Sequence, residues 1–136
     1  MENKFEVLEN KILRRILGPV YDSQRQEWRI RHNWEIREQT KQPHIKNVIR
    51  LKRLKWAGYV ARMQEDRWPK KVLNSGVHGR RPLGRPRKDW RRCVDEDVQI
   101  CGIEPREWKE VAQDRQTWRD VSKAVMDHQV ARRPAE

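Results

Sequence analysis

Cysteines and long apolar runs are scarce in this sequence of 136 residues. The two cysteines, Cys93 and Cys101, form no CxxC pair, which argues against a disulfide framework and against a zinc ribbon. Eight helical residues would separate them by about 12 Å, which is too far for a mutual disulfide. Because there is no long apolar run, we expect no transmembrane helix and no membrane partner.

The N-terminal segment also lacks the features of a secretory signal. Residues 1–17 are amphipathic, and they have neither the basic start nor the continuous apolar core of such a signal. Two cysteines without a disulfide pattern agree with this reading. We therefore expect a reducing compartment, the nucleus, the cytoplasm or both, and no secretion.

Aliphatic residues are few, and charge is abundant. Leu, Ile, Val and Phe together make up 28 of the 136 residues, the net charge is +12, and 38% of the side chains are charged. This composition lies near that of disordered chains, but seven tryptophans can each bury a large apolar area. The balance predicts one small domain with a thin core.

The positive charge is concentrated in the middle of the chain. Residues 41–92 hold 17 basic and 3 acidic side chains, whereas residues 1–40 and 93–136 together hold 15 basic and 17 acidic ones. Such an unbalanced block repels itself unless an anion lies nearby. It predicts binding to RNA, DNA or both, and the alternative is a merely solvated basic surface.

Apolar residues recur with helical spacing, and alternating runs of strand length are absent. The pattern predicts an all-α fold, a small irregular bundle of about five to six helices with a basic, Gly- and Pro-containing loop near 74–85. The predicted helices span 3–17, 33–40, 43–63, 86–101 and 114–126, with a short turn capped by Asp66, a further short helix opened by Pro105 and an irregular segment over 19–32. Gly18 and Gly102 are predicted to end the helices 3–17 and 86–101. We divide the chain into an N-terminal helix with its connector (1–42), a basic helix and loop (43–92), C-terminal helices (93–126) and a frayed tail (127–136).

The helix predicted over 43–63 combines a core stripe with a basic face. Its apolar stripe consists of Ile45, Val48, Ile49, Trp56, Val60 and Met63. Gly58 weakens this helix, and close packing would explain its presence. Phosphate contacts that release counterions and make binding salt-dependent are predicted for Lys46, Arg50, Lys52, Arg53, Lys55, Arg80, Arg81, Arg85, Arg87 and Lys88.

The loop contains a near match to an AT-hook, a motif that lies in the narrow minor groove of A·T-rich DNA. In "RPLGRPRK" (81–88), Gly84, Arg85 and Pro86 match the motif, but Leu83 stands where its first Arg belongs. Non-specific nucleic-acid contact, an inert linker and a nuclear-import signal are the alternatives.

Five of the seven tryptophans can be assigned a role from their positions in the sequence. Trp68 lies between Arg67 and Pro69, beside the basic loop, and is the residue that we predict to stack on an unpaired base. Core packing is predicted for four tryptophans that lie on apolar stripes: Trp56, Trp90, Trp108 and Trp118.

No set of residues resembles a catalytic or metal site. Asp95, Glu96 and Asp97 are consecutive, so their carboxylates splay around a helix, and we expect a solvated acidic face. The four histidines show no ligand spacing, and no serine has a plausible base. We therefore expect no catalytic residue, metal, cofactor or small-molecule substrate.

The segment "DRQTWRD" (114–120) is typical of a helix start. Asp114 is a good N-cap. Arg115 or Arg119 is predicted to pair with Asp120 or Glu110, so the segment is interpreted as structural.

Five segments carry a family resemblance: "FEVLENKILRRILGPV", "RLKWAGYVARM", "RWPKKVL", "GRRPLGRPRKDW" and "AQDRQTWRDV". In this order and with these spacings they resemble the C-terminal tail of non-LTR, LINE-type (jockey-like) retrotransposon endonuclease/reverse transcriptases. The resemblance covers about residues 5–122. Each segment alone is weakly diagnostic, and the ordered set is more specific. The family often has His where this chain has Tyr59.

The resemblance implies a segment that follows the polymerase domain and grips template RNA or target DNA. The paired Asp of the polymerase motif is absent from this chain, so we expect the isolated chain to catalyse nothing. Two alternatives stay open. One is a helical module that docks on the polymerase domain through helices 3–17 and 86–125, and the other is a domesticated, AT-hook-like DNA-binding protein.

Overall fold

The computed structural model describes residues 2–75, 83, 84 and 88–127. These residues form seven α-helices and one two-stranded hairpin, which confirms the all-α class. The helices are α1 (Glu2–Leu17), α2 (Asn33–Thr40), α3 (Ile45–Ala61), α4 (Trp68–Asn74), α5 (Trp90–Ile100), α6 (Trp108–Val111) and α7 (Arg115–Asp127), and the strands are β1 (Val20–Asp22) and β2 (Glu27–Arg29). None of the described helices is long and apolar enough to cross a membrane.

A hairpin replaces the irregular segment predicted over 19–32. The two strands are antiparallel, with Tyr21 opposite Trp28, and these two rings meet edge to face with centroids 5.4 Å apart. Asp22 shapes the turn, since its Oδ1 accepts hydrogen bonds from the backbone N–H groups of Gln24 and Arg25. Strands of three residues are too short to show a period of two, which is why the pattern did not predict them.

Three helix ends have the capping residues that the sequence predicts. Gly18 and Gly102 adopt the left-handed conformation, with φ of 70° and 77°, after α1 and α5. Asp114 caps α7, because its carboxylate accepts from the backbone N–H groups of Gln116 at 3.2 Å and Thr117 at 3.0 Å. The predicted caps at these ends are therefore confirmed.

Two predicted helix starts are wrong. The helix predicted from Pro86 begins instead at Trp90, because Asp89 caps it through a 2.7 Å hydrogen bond from the Arg92 N–H to Asp89 Oδ1. Arg67, rather than Asp66, is the N-cap of α4. Most of the predicted loop over 74–85 and the predicted frayed tail lie outside the described residues.

The chain divides into two compact units, with the boundary between Ile49 and Arg50. In the first unit, α2 contacts α1 through Arg37, whose Nη2 donates to Glu9 Oε2 at 2.5 Å and to Asn10 Oδ1 at 2.9 Å. Ile36 is fully buried beside this ion pair. A charged contact therefore replaces part of the apolar packing that a larger core would provide.

The second unit, Arg50–Met126, has its own apolar core. Gly58 sits at the tightest point, because a Cβ there would lie 2.1 Å from Nε1 of Trp118. That nitrogen donates a 2.9 Å hydrogen bond to the carbonyl of Leu54, so the indole is locked against α3. The close packing predicted at Gly58 is confirmed. The core residues are Leu54, Ala57, Val60, Ala61, Leu73, Val94, Val98, Trp108, Ala112, Trp118 and Val125.

Candidate nucleic-acid interface

The structure separates the ten predicted phosphate-binding residues into three sets. Four of them, Arg80, Arg81, Arg85 and Arg87, lie outside the described residues. Lys52 and Lys55 are exposed on α3. The remaining four form ion pairs with carboxylates of the protein itself: Lys46, Arg50, Arg53 and Lys88.

Asp97 engages two of these cations on the inner side of α3. Its Oδ1 lies 3.5 Å from Nε of Arg50, and its Oδ2 lies 3.1 Å from Nε of Arg53. The Asp97 side chain is only 3% exposed, so the predicted solvated acidic face is wrong at this residue. Arg50 and Arg53 therefore serve the packing of α3 on α5, since a buried carboxylate requires paired charge.

The other two paired cations lie nearer the surface. Lys46 Nζ lies 2.7 Å from Oε2 of Glu6. Lys88 pairs with Glu96, and both side chains of this pair are nearly half-exposed. Exposed pairs of this kind contribute little stability, so a phosphate could compete with Glu96 for Lys88.

Five positive side chains, among them the predicted Lys55, meet around one open groove in the second unit. The groove has a volume of about 1010 Å³ and lies between α3, the turn that follows it, the start of α4 and one side of α7. We call it the basic groove, and its cationic residues are Lys55, Arg62, Arg67, Arg115 and Arg119. The rest of its lining is uncharged: Tyr59, Met63, Gln64, Pro69, Trp118 and Ser122.

In the part of the chain that the structure describes, no carboxylate pairs with the cations of the basic groove. No Asp or Glu is among the described residues that line it. Within the described ranges, none of its five cations forms an ion pair with a carboxylate. The concentration of like charge raises the local affinity for an anion.

Arg62 is held in place within this groove. Its Nη1 donates to the carbonyl of Ala112 at 2.5 Å, while Nε2 of Gln113 donates to the carbonyl of Ala61 at 3.1 Å. These hydrogen bonds tie the end of α3 to the turn before α7. Partial burial and the charge of Arg115 lower the pKa of Arg62, although a guanidinium stays charged at neutral pH.

Four of the five groove cations were not among the residues predicted from the sequence: Arg62, Arg67, Arg115 and Arg119. The predicted pairing of Arg115 or Arg119 with Asp120 is wrong, because Asp120 accepts instead from Nε2 of Gln116. The sequence does indicate that two of these cations lie together, since Arg115 and Arg119 are four residues apart on the helix face that also carries Ser122. Only the packing of α7 against α3 brings that face to the groove.

Two aromatic side chains on α3 adjoin the groove. Tyr59 lines it and is 55% exposed, and Trp56 is 49% exposed. Their ring centroids lie 5.4 Å apart with an interplanar angle of 36°. The predicted core position of Trp56 is wrong, because the face of α3 that packs inward carries Leu54, Ala57, Val60 and Ala61.

The other tryptophans give a mixed outcome. Trp108 and Trp118 are buried as predicted, whereas Trp90 is 39% exposed, so its predicted core position is wrong. Trp68, the predicted stacking residue, is 77% exposed, and Nζ of Lys71 lies 5.4 Å from its ring centroid. Its sequence neighbours Arg67 and Pro69 line the groove, whereas Trp68 itself is not among the lining residues.

Elsewhere in the described ranges, the titratable groups do not assemble into a site. Among the described residues, no cluster of three His, Cys, Asp or Glu side chains could hold a metal ion. Burial raises the pKa of Asp95, which accepts a 3.3 Å hydrogen bond from Nε1 of Trp108. Burial, together with the nearby Asp97, raises the pKa of the Cys101 thiol, so this cysteine is less reactive than an ordinary thiol.

Comparison with known proteins adds no assignment. The chain matches none of the family models, curated proteins and solved structures with which it was compared.

Proposed function

We propose that this chain binds nucleic acid and that it is the C-terminal segment of a reverse transcriptase of the non-LTR retrotransposon class. The observation that carries the binding proposal is the basic groove, where five cations converge and no Asp or Glu is among the described lining residues. The particular assignment, to a LINE-type (jockey-like) element, rests on the five ordered sequence segments. In that role the chain contacts phosphates of RNA or DNA and performs no chemistry by itself.

Electrostatics support a polyanion as the ligand. Each phosphate that a groove cation neutralises releases counterions into solution, and this release drives association at moderate salt. The exposed Lys52, which precedes the groove residue Lys55 on α3, continues the positive surface beyond the groove. The predicted contacts thus shift from the inner cations Arg50 and Arg53 to the outer side of the same helix.

The test is a double charge reversal, Arg115→Glu with Arg119→Glu. Both side chains are exposed, and a Glu in the first turn of α7 favours the helix dipole, so the variant should fold. We expect affinity for labelled RNA and duplex DNA to fall about 10-fold or more. The slope of log K against log salt should become shallower by about 2 between about 50 and about 200 mM salt.

The matched control reverses two exposed cations that do not line the groove, Arg106→Glu with Lys123→Glu. The control changes net charge by the same amount. If both double variants lose affinity equally, binding follows net charge and the groove has no special part in it. If the unaltered chain binds neither polynucleotide at about 50 mM salt, the proposal is wrong.

A second candidate function is docking on the polymerase domain. One observation favours it: the apolar stripe of α1 is about half-exposed at Phe5, Leu8 and Ile12. Contiguous exposed apolar surface of this kind commonly marks an interaction site. On this reading, Leu8→Glu with Ile12→Glu abolishes co-precipitation with the polymerase domain of a LINE-type element, while the Arg115/Arg119 reversal leaves it unchanged.

A further inference from the structure

The outer side of α3 places rings and cations on one continuous surface. Lys52, Trp56 and Tyr59 follow each other at helical spacings of four and three residues, and Lys55 stands four residues before Tyr59. Tyr59 also lines the basic groove. We call Trp56 and Tyr59 the aromatic pair.

The aromatic pair lies outside the face of α3 that packs into the core. The inner face of this helix is complete, with Leu54, Ala57 and Val60 almost fully buried. About half of each ring of the pair is left in water, where apolar surface costs about 25 cal/mol per Å². The exposed parts of both rings are therefore accessible to a ligand.

A base with an exposed face is the ligand that suits this combination. Bases within a duplex are stacked on each other, so the duplex presents mainly phosphates and base edges to a protein. Unpaired bases can leave the stack and lie on aromatic rings while cations hold the backbone between them. The phosphates of a duplex would contact the cations of the groove, but its bases would not stack on the aromatic pair.

We infer that the basic groove and the aromatic pair bind a single-stranded polynucleotide, with its phosphates at Arg62, Arg115 and Arg119 and its bases on Trp56 and Tyr59. This inference rests on the proposed nucleic-acid binding and narrows it to unpaired strands. RNA and single-stranded DNA share the recognised chemistry, a flexible phosphate backbone with accessible bases. Sequence preference is weak in this arrangement, because every base has a π-face.

The experiment measures the affinity of the full chain for three labelled probes of one mixed sequence: single-stranded RNA, single-stranded DNA and the DNA duplex. At the same salt concentration, we expect either single strand to bind about 10-fold more tightly than the duplex. A greater affinity for RNA than for single-stranded DNA, or the reverse, identifies which strand the groove prefers. Equal affinity for single strands and duplex overturns the inference and leaves the proposed function standing.

The variant Trp56→Leu with Tyr59→Leu tests the aromatic pair directly. It removes both rings but keeps apolar side chains, and we expect single-strand affinity to fall about 10-fold while duplex affinity changes less than about 2-fold. Trp56→Phe with Tyr59→Phe keeps two rings and should retain most of the affinity. Helical circular dichroism of each variant shows whether the fold is preserved.

The matched control is Trp28→Leu, which removes another largely exposed tryptophan that does not line the groove. We expect this control to bind all three probes as the unaltered chain does. If the Leu and Phe variants of the aromatic pair bind alike, the rings have no stacking role and the inference is wrong. If no probe binds at any salt concentration, the proposed function itself is wrong.

Discussion

Gly58 is the residue at which α3 and the indole of Trp118 leave no room for a side chain. A Cβ would lie 2.1 Å from Trp118 Nε1, and the hydrogen bond from that nitrogen to Leu54 prevents the ring from moving away freely. In an exposed helix, replacing Gly by Ala would stabilise the helix by about 1 kcal/mol. Here the overlap should outweigh that gain, because overpacking a tight contact costs about 1–3 kcal/mol.

We expect Gly58→Ala to reduce the free energy of unfolding by about 1–2 kcal/mol, measured by urea denaturation. Gln99→Ala, an exposed substitution on α5, serves as the control and should change it by less than about 0.5 kcal/mol. A Gly58→Ala protein more stable than the unaltered chain would show that Trp118 can move aside.

Trp56 and Gly58 illustrate what residue-level inference can achieve. A Gly inside a helix indicates close approach whatever the partner, so its role was predictable before Trp118 was known to be that partner. The exposed position of Trp56 was not predictable, because an amphipathic helix can have two apolar stripes and only one of them packs into the core. The stripe with the smaller residues, Ala57 and Ala61, faces the core because it lets the helices pack closely.

Among the elements, α3 carries cations on opposite sides with different roles. Arg50 and Arg53 lie toward α5 and share the buried Asp97, whereas Lys52 and Lys55 are exposed. Removing the shared carboxylate would leave two partly buried guanidinium groups facing each other. Breaking a buried pair in this way costs about 3–5 kcal/mol.

We expect Asp97→Asn to lower the free energy of unfolding by about 3 kcal/mol, because Asn can accept a hydrogen bond but cannot neutralise Arg50 and Arg53. Glu96→Gln is the matched control on the same helix. It weakens exposed pairs with Lys88 and Arg92 and should cost less than about 1 kcal/mol. Urea unfolding of the two variants checks the difference, and equal losses would mean that Asp97 has no anchoring role.

At the scale of the whole molecule, several carboxylates are stabilised in their charged form. The hydrogen bonds from Arg29 lower the pKa of Glu35 to about 2, helped by the backbone N–H of His32. A carboxyl with a lowered pKa adds stability above its ordinary pKa of 4.5, and that stability is lost as pH falls through the folded value. Hydrogen bonds from Thr117 likewise lower the pKa of Asp114.

We therefore expect the thermal midpoint to fall as pH decreases from about 5 to about 2. Glu35→Gln, which cannot titrate, should show a smaller fall over this interval although it starts from a lower midpoint. The exposed Glu38→Gln on the same helix is the control and should follow the unaltered chain. A Glu35→Gln profile parallel to that of the unaltered chain would contradict the role of this ion pair.

The sequence by itself determined the helices, most of their ends and the concentration of positive charge, since these depend on local spacing, capping residues and composition. Only the tertiary structure decided which cations are neutralised and which meet. Arg53 and Lys55 are two residues apart, yet one contacts a buried carboxylate and the other lines the groove. The reason is that the rotation of a helix about its axis is set by its packing partners. The groove also joins residues that lie far apart in the sequence, such as Lys55 and Arg115, and no local pattern indicates that they are neighbours.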